Sequence, residues 1–564
     1  MAFNTTTSQL LGGFAVVLAT IAIRFFYQGY VHRRAVRSLI TQGLPVLPHS
    51  IFFGHLPVFA DFAKKHPPDV NVYVFHTWLM ENCETFFPGY DCLPPVVYLD
   101  LWPISTSLAL VTDPVAAAQF TMVKSEPKIA VFRKFIWPMT KCLDILTTDG
   151  QIWKTWRSRF NPGFSQRNLT AFMPEIIEEV SVFVDRLKKQ AVASKGDGNG
   201  WGPVFQLEKM TTDLTFDVIC RATLDIRLHS QSDQPQSPLK SALLDQSRLM
   251  GLMENAARGI FVGRWPWHHA AIARNNRTMH DFLLPLIQER LHAGPEKTAQ
   301  KTTIVDLAIK HIDTDASAGS EEPTTEFVDR LIANLKIFLF AGHDTTAATI
   351  CFMTKLLQDN PESLAKLRAE HDAVLGADPT QATQALIASP HLLHALPYTL
   401  SVIKETLRLH PLAATVRESH PGYYMSGAAD PTVQFPMERF GLWMSPPALQ
   451  RHPKYWPRPH DFVPERWTVA EGDPLYPATP NTWVPFSLGP RNCIGMELAY
   501  MELKLVLVMT ARTLDIEEAW SEWDILKGAK ATPSHAVDGE RLYGIGTGLV
   551  HPKDGMPVHV RLRQ

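Results

Sequence analysis

The chain has 564 residues, 45% of them hydrophobic, and its 54 Lys and Arg against 56 Asp and Glu leave a formal net charge of −2. Near-neutrality excludes the concentrated basic surface that a nucleic-acid partner requires, and the length exceeds what one hydrophobic core usually fills. The six cysteines, Cys83, Cys92, Cys142, Cys220, Cys351 and Cys493, show no C-x-x-C spacing and no scaffold density, so zinc and a disulfide framework are unsupported and most read as buried thiols.

Residues 10–27 are almost wholly apolar, interrupted by Thr20 and Arg24, and are followed by His32, Arg33, Arg34 and Arg37. This pattern predicts a single transmembrane anchor. No basic residue precedes the apolar run, unlike a cleaved signal peptide, and the cluster after it places residues 1–9 in the lumen and the rest in the cytosol. A cleaved or peripheral N-terminal helix is the alternative. Residues 28–50, basic and containing Pro45 and Pro48, read as a linker, and 51–564 as one catalytic domain without internal repeats. In this topology, of the sequons at Asn4, Asn168 and Asn276, only Asn4 faces the lumen.

Helical periodicity dominates that domain, while 95–99 and 558–562 read as short strands, which gives a mainly α fold with a minor β portion. Polar stretches at 194–200, 230–238 and 313–325 read as surface loops. Trp265-Pro266-Trp267, beside Ile260, Phe261 and Val262, suits either a bilayer contact or a core.

Four segments carry chemistry-bearing residues. After Asp149-Gly150, Trp153 and Arg157 lie four apart and can face one ligand, although the segment alone is an ordinary amphipathic helix start. Phe327, Leu331, Leu335 and Phe338 recur at helical spacing and predict a buried helix from about 327 to 357, with Ala341-Gly342-His343-Asp344-Thr345-Thr346 at its middle. A glycine followed by acid and hydroxyl groups can loosen the backbone ladder and admit water, which makes Asp344 and Thr345 candidates for proton delivery; threonines that merely back-bond to carbonyls are the structural alternative. Glu405 and Arg408, between Pro397 and Pro411, share a helix face, a pairing that on a solvated surface is worth about half a kcal/mol.

The fourth segment, Phe486-Ser487-Leu488-Gly489-Pro490-Arg491-Asn492-Cys493-Ile494-Gly495, delivers one cysteine to a helix whose buried face is marked by Leu498, Met501, Leu505 and Val508. Unpaired N–H groups and the helix dipole there favour a thiolate. Gly489 and Gly495 let the backbone turn tightly and approach a flat cofactor, and Arg491 can neutralise an anionic group.

This last segment matches Phe-x-x-Gly-x-Arg-x-Cys-x-Gly at every fixed position and resembles the haem-binding signature of the cytochrome P450 family. The resemblance implies the cytochrome P450 fold, preceded here by a single N-terminal transmembrane helix. It implies haem b with the Cys493 thiolate as axial iron ligand, held also by Phe486, Gly489, Arg491 and Gly495. It carries Asp344 and Thr345 over as the catalytic pair, Trp153, Arg157 and Arg417 as further cofactor contacts, and Glu405, Arg408 and Arg466 as a structural brace. With no dinucleotide fingerprint, flavin or iron–sulfur segment in the chain, electrons come from a partner. The implied partner is NADPH-cytochrome P450 reductase, with Lys154 and Arg159 as candidate contacts.

Segments 131–146, 243–261, 413–416 and 543–548 are implied to line a pocket whose apolar character suits a lipophilic small molecule. Residues 495–523 and 548–557 are similar to membrane-bound fungal enzymes of secondary metabolism. That likeness implies a monooxygenase at the endoplasmic reticulum membrane, single-pass with a cytosolic catalytic domain, oxidising a polyketide or terpenoid intermediate of a mycotoxin-like pathway. The alternatives are a haem-thiolate isomerase or peroxide-rearranging enzyme, against which the Asp344–Thr345 pair speaks, and a non-catalytic membrane-anchored haem sensor.

Overall fold

The computed structural model describes residues 2–193, 200–254, 265–293, 302–310, 324–477, 479–528, 536–546 and 549–563. Most of the loops expected at 194–200 and 313–325 lies outside these residues, as do Ile260, Phe261, Val262 and parts of the segments 243–261 and 543–548.

Seven helices position the site and the anchor: α1 (Ala2–Thr41), α2 (Gly150–Phe160), α3 (Met173–Val192), α4 (Leu207–Leu224), α5 (Thr325–Asp359), α6 (Pro397–Leu409) and α7 (Met496–Thr510). Sequence punctuation sets their ends. The Thr324 hydroxyl accepts the Phe327 N–H at 3.2 Å to cap α5, Pro361 follows its end, and α6 starts at Pro397 and stops one residue short of His410-Pro411. The face predicted for α5 packs inward: Leu331, Leu335 and Phe338 are buried and Phe327 stacks on Trp156 at 5.2 Å. Leu498, Met501, Leu505 and Val508 of α7 are buried as the spacing predicts.

The minor β portion has a mixed sheet in the order Val96–Leu99, Leu108–Val111, Gly441–Met444, Val416–Glu418, its central pair parallel and the outer pairs antiparallel. A second, antiparallel sheet places Pro557–Leu562 between Phe205–Gln206 and Leu514–Glu518. The main core lies among the helices, and a smaller one lies against the mixed sheet. Of the loop expected at 230–238, the first residues are buried instead: the backbone N–H groups of Ser230 and Gln231 donate to Asp217 at 3.1 and 3.3 Å, because that buried carboxylate needs donors.

α1 also runs further than the sequence suggests. It stays helical through Thr41, so the expected linker 28–50 is helical over its first part and irregular only beyond. Its C-terminal turns dock on the globule. Arg33 is buried, pairs with Asp100 and donates to the Trp102 carbonyl at 2.9 Å, while Val36 and Leu39 enter the core against the mixed sheet. Gly29 makes room for the Trp102 ring, which a Cβ there would meet at 2.6 Å. Arg34 and Arg37 remain exposed, as does the apolar surface of Phe14 through Tyr27.

Candidate functional site

The cysteine loop is held from three sides. The Cys493 N–H donates to the Phe486 carbonyl at 2.9 Å, closing the loop on itself. Gly489 adopts φ +73°, and a Cβ there would meet the Thr121 carbonyl oxygen at 2.3 Å, so neither its backbone nor its surroundings admit a side chain. Gly495 has an ordinary φ of −85°, and its only neighbour within 4 Å of a Cβ is Cys493 Sγ at 3.9 Å. A side chain at Gly495 would thus sit against the sulfur, and the glycine keeps that side of Cys493 open.

Cys493 differs from the other cysteines. All six are free, but Cys83, Cys220 and Cys351 are buried whereas Cys493 is exposed. The helix N-terminus does not suffice to hold a thiolate: enclosure by the protein pushes the Cys493 thiol up, and the Gly495 N–H and Arg157 only partly offset it. Among the described residues no group of three or more His, Cys, Asp or Glu could hold a bare metal ion. A lone cysteine at this place fits a metal that a cofactor carries with ligands of its own, as haem does.

The expected carboxylate-binding residues divide into two groups. Arg157 of α2 donates to the Asn492 carbonyl at 2.8 Å and to its side-chain oxygen at 3.0 Å, which locks the residue before Cys493 rather than leaving a free guanidinium. Arg491 lies over the Trp153 ring at 4.5 Å and pairs with Asp149 at 2.7 Å. Arg417 is different. It is fully buried, and its Nε, Nη1 and Nη2 have no partner among the described residues. Burial, with Arg491 nearby, pulls its pKa down to about 10.

Lys128, which no motif or spacing singles out, joins that cluster. The Glu418 N–H bonds the Pro127 carbonyl at 2.8 Å and so lays Lys128 alongside the strand of Arg417. Burial together with Arg417 and Arg491 drives its pKa well down. Arg417 and Arg491, with Lys128 beside them and Asp149 and Asp144 as the nearby counter-charges, make a buried basic cluster suited to an anion.

On α5, Asp344 and Thr345 follow one another in an unbroken helix, so the expected loosening of the ladder is not seen there. The Thr345 hydroxyl donates to the Ala341 carbonyl at 3.0 Å. Gly342 serves close packing, since a Cβ would meet Ile219 of α4 at 3.0 Å. Asp344 faces His551 at 3.5 Å. From the segment 543–548, Tyr543 and Gly544 line a cavity of about 520 Å3 with Phe352, His410, Arg451 and Val550.

Glu405, Arg408 and Arg466 form a buried triad. Both guanidinium groups bond Glu405 at 2.8–3.0 Å, and the Val463 N–H and Trp467 Nε1 add two further donors at 3.0 Å. Arg408 spends its remaining N–H groups on the carbonyls of Gln450, Pro459 and Asp461. Trp467 then contacts Trp483 at 5.6 Å, and Trp483 contacts Phe486 at 6.0 Å, so the triad is continuous with the cysteine loop. Lys154 is exposed on α2, whereas Arg159 lies 5.3 Å over both Trp156 and Phe327.

The site elements are thus a lone exposed cysteine on a glycine-turned loop, a buried arginine unpartnered among the described residues, and a long helix with an acid–hydroxyl pair. The sequence profile of the family Cytochrome P450 matches residues 97–534. The chain is 35% identical over 557 residues to cytochrome P450 monooxygenase polC of Polytolypa hystricis, covering 98% of this chain and 96% of that one. It is 29% identical to cytochrome P450 monooxygenase acrF of Aspergillus aculeatus, covering 83% of this chain and 94% of that one. The fold superposes on the haem domain of cytochrome P450DA with a TM-score of 0.63 at 20% identity, covering 92% of this chain and 96% of that one. The chain belongs to the cytochrome P450 family, and with it come monooxygenase activity and a haem b cofactor with a cysteine thiolate ligand.

Proposed function

We propose that this monooxygenase oxidises a lipophilic small molecule, a polyketide or terpenoid intermediate of fungal secondary metabolism, with electrons from NADPH-cytochrome P450 reductase at the endoplasmic reticulum membrane. The site assignment is carried by the buried guanidinium of Arg417, unpartnered among the described residues, together with the exposed Cys493 on its glycine-turned loop. When bound, haem supplies dioxygen activation, placing one oxygen atom in the substrate and releasing the other as water.

Cys493 would ligate the haem iron, and Arg157 fixes its loop through Asn492. Arg417, Lys128 and Arg491 would receive the cofactor's carboxylates, with Trp153 beneath Arg491; Phe486, Gly489 and Gly495 would shape the cradle. Asp344 holds a proton at its carboxylate, and Thr345 passes it on by turning its hydroxyl away from Ala341. Glu405, Arg408 and Arg466 keep the loop in register through the tryptophans. Lys154, exposed on the helix that holds the cysteine loop, is offered to the reductase. Residues 1–9 are luminal, 10–27 span the bilayer, and the catalytic domain is cytosolic; the exposed apolar face of Phe14 through Tyr27 supports this placement.

The test compares the metabolites of the native host carrying the wild-type chain or Cys493→Ala, grown under isotopically labelled oxygen. The variant accumulates a precursor whose labelled, oxygenated descendant the wild type makes. An unlabelled descendant would replace oxygen insertion with desaturation or rearrangement, and no accumulation from an expressed, haem-loaded protein would favour a sensor. Thr345→Ala is expected to retain precursor binding while NADPH consumption outruns product; full coupling would remove Thr345 from the proton path.

A further inference from the structure

Asp344 belongs to a chain of three titratable groups that leads outward. On the strand His551–Pro552, His551 places Nε2 3.5 Å from Asp344 Oδ2 and Nδ1 2.8 Å from Glu208 Oε1. Each residue comes from a different element. Asp344 stands at the middle of α5, Glu208 in the first turn of α4, and His551 on a strand paired with Gly544–Ile545 in the register His551–Ile545. Side-chain exposure falls inward, from 35% at His551 and 20% at Glu208 to 14% at Asp344. An arginine or lysine there would give Asp344 a permanent counter-ion; a histidine changes charge near neutral pH and can gain and lose a proton each turnover.

We propose that His551 relays protons from solvent to Asp344, with Glu208 orienting its ring; this rests on the reading of Asp344 as a proton-delivery group. The imidazolium gives its Nε2 proton to the Asp344 carboxylate across a contact that a small side-chain rotation closes. The ring is left neutral with its Nδ1–H donated to Glu208, and it regains one proton at Nε2 from hydronium in the solvent beside it. One proton moves inward, no electron is transferred, and the relay returns to its starting state. Two neighbouring titratable groups among the described residues are held elsewhere. His343 on α5 is buried with its Nδ1 2.7 Å from the Leu339 carbonyl, and burial lowers its pKa so that it stays neutral. Lys553, two residues beyond His551, is paired with Asp69. His551 is thus a positioning residue that acts through Asp344.

The experiment uses full-length wild type and variants in host microsomes, matched for haem content and fed the precursor that accumulates in the Cys493→Ala strain. His551→Gln is expected to slow product formation roughly ten- to hundred-fold, up to the lower bound of what a positioned acid contributes, and to remove the histidine inflection from the rate–pH profile. Glu208→Gln moves that inflection to lower pH, because a lost carboxylate neighbour lowers an imidazole pKa. A readout without turnover is the NMR titration of labelled histidine in the full chain, with His551 assigned by its loss in His551→Gln. Its titration is expected to move to lower pH in Asp344→Asn. An unchanged rate and profile in His551→Gln, with Asp344→Asn impaired, overturns the relay alone. If Asp344→Asn is also unimpaired, the proton-delivery reading beneath it falls as well. A His551 titration indifferent to Asp344→Asn overturns the relay by itself.

Discussion

At the residue scale, the groups most out of place energetically are the informative ones. Arg417 carries three unpartnered donors in a fully buried position, so its cost to the haem-free chain and its value to the loaded one have opposite signs. Arg417→Leu is expected to stabilise the haem-free protein by roughly 1–3 kcal/mol, the penalty of leaving buried donors unsatisfied, while haem dissociates faster from the loaded protein. Thermal unfolding with and without haem checks both, and equal shifts of one sign would detach Arg417 from the cofactor. Glu502 on α7 is a contrasting case. It is buried with Oε1 unpartnered among the described residues, and burial alone pushes its pKa up to about 8. The folded state therefore binds a proton that the unfolded state has released above its ordinary carboxyl pKa. Stability falls as pH rises from that ordinary value toward about 8. Glu502→Gln is expected to flatten this slope and add on the order of 3 kcal/mol at pH 7. Denaturant titrations at pH 5 and pH 8 read it, and a parallel pH dependence in both proteins would contradict it. Of these residues the sequence exposed Arg417 only weakly and Lys128 not at all. A motif marks residues close to the ligand in the chain, whereas the cation cluster is built by a strand bond from Glu418 to Pro127 that spacing cannot reveal.

At the element scale, what was legible followed periodicity and punctuation. The buried faces of α5 and α7 and the proline-bounded α6 stand where spacing puts them, because apolar recurrence and Pro act within a single element. The Glu405–Arg408 pair could not be told from a solvated ion pair on that basis. Its burial depends on donors from Val463, Arg466 and Trp467, nearly sixty residues further along the chain. Removing the shared acceptor leaves two buried guanidinium groups uncompensated. Glu405→Leu is therefore expected to cost about 3–5 kcal/mol and to lose haem as Trp483 and Phe486 shift. Arg466→Lys should also be costly, since an ammonium cannot reproduce the fork that bonds Glu405, Pro457 and Arg458 together. If either variant unfolds at the wild-type midpoint, the triad is not the brace of the loop. The unbroken α5 is the opposite lesson. Glycine, acid and hydroxyl in sequence suggested a local break, but Gly342 is needed for contact with Ile219 and the helix closes over it.

At the scale of the whole molecule, the anchor and the enzyme share one helix. The apolar turns of α1 are exposed from Phe14 to Tyr27 apart from Phe25, which rests on Trp102 at 4.4 Å, whereas Arg33, Val36 and Leu39 are as buried as core residues. Hydropathy and a count of basic residues treated the whole region as span plus tether, because neither registers that Asp100 waits, buried, for a partner. The division has a direct consequence for truncation. Removing residues 1–27 deletes the exposed apolar surface from Phe14 to Tyr27 together with the Phe25 ring that packs on Trp102 at 4.4 Å, so the remainder is expected to fold with a midpoint close to that of the wild type and to leave the membrane fraction. Removing residues 1–41 also takes away the Arg33 guanidinium and two buried aliphatic side chains. Asp100 keeps His49 at 3.0 Å but loses its permanent counter-charge. Burial of the two aliphatic groups alone is worth about 1.5–3 kcal/mol each, so the longer deletion should destabilise the domain by at least about 3 kcal/mol. Membrane flotation and thermal unfolding of the two truncations separate the roles. Equal midpoints would make α1 a mere tether. Retention of the shorter truncation on membranes would instead point to a second contact, for which Trp265 and Trp267, both exposed and 4.6 Å apart, are one candidate apolar surface and Phe52 and Phe53 another.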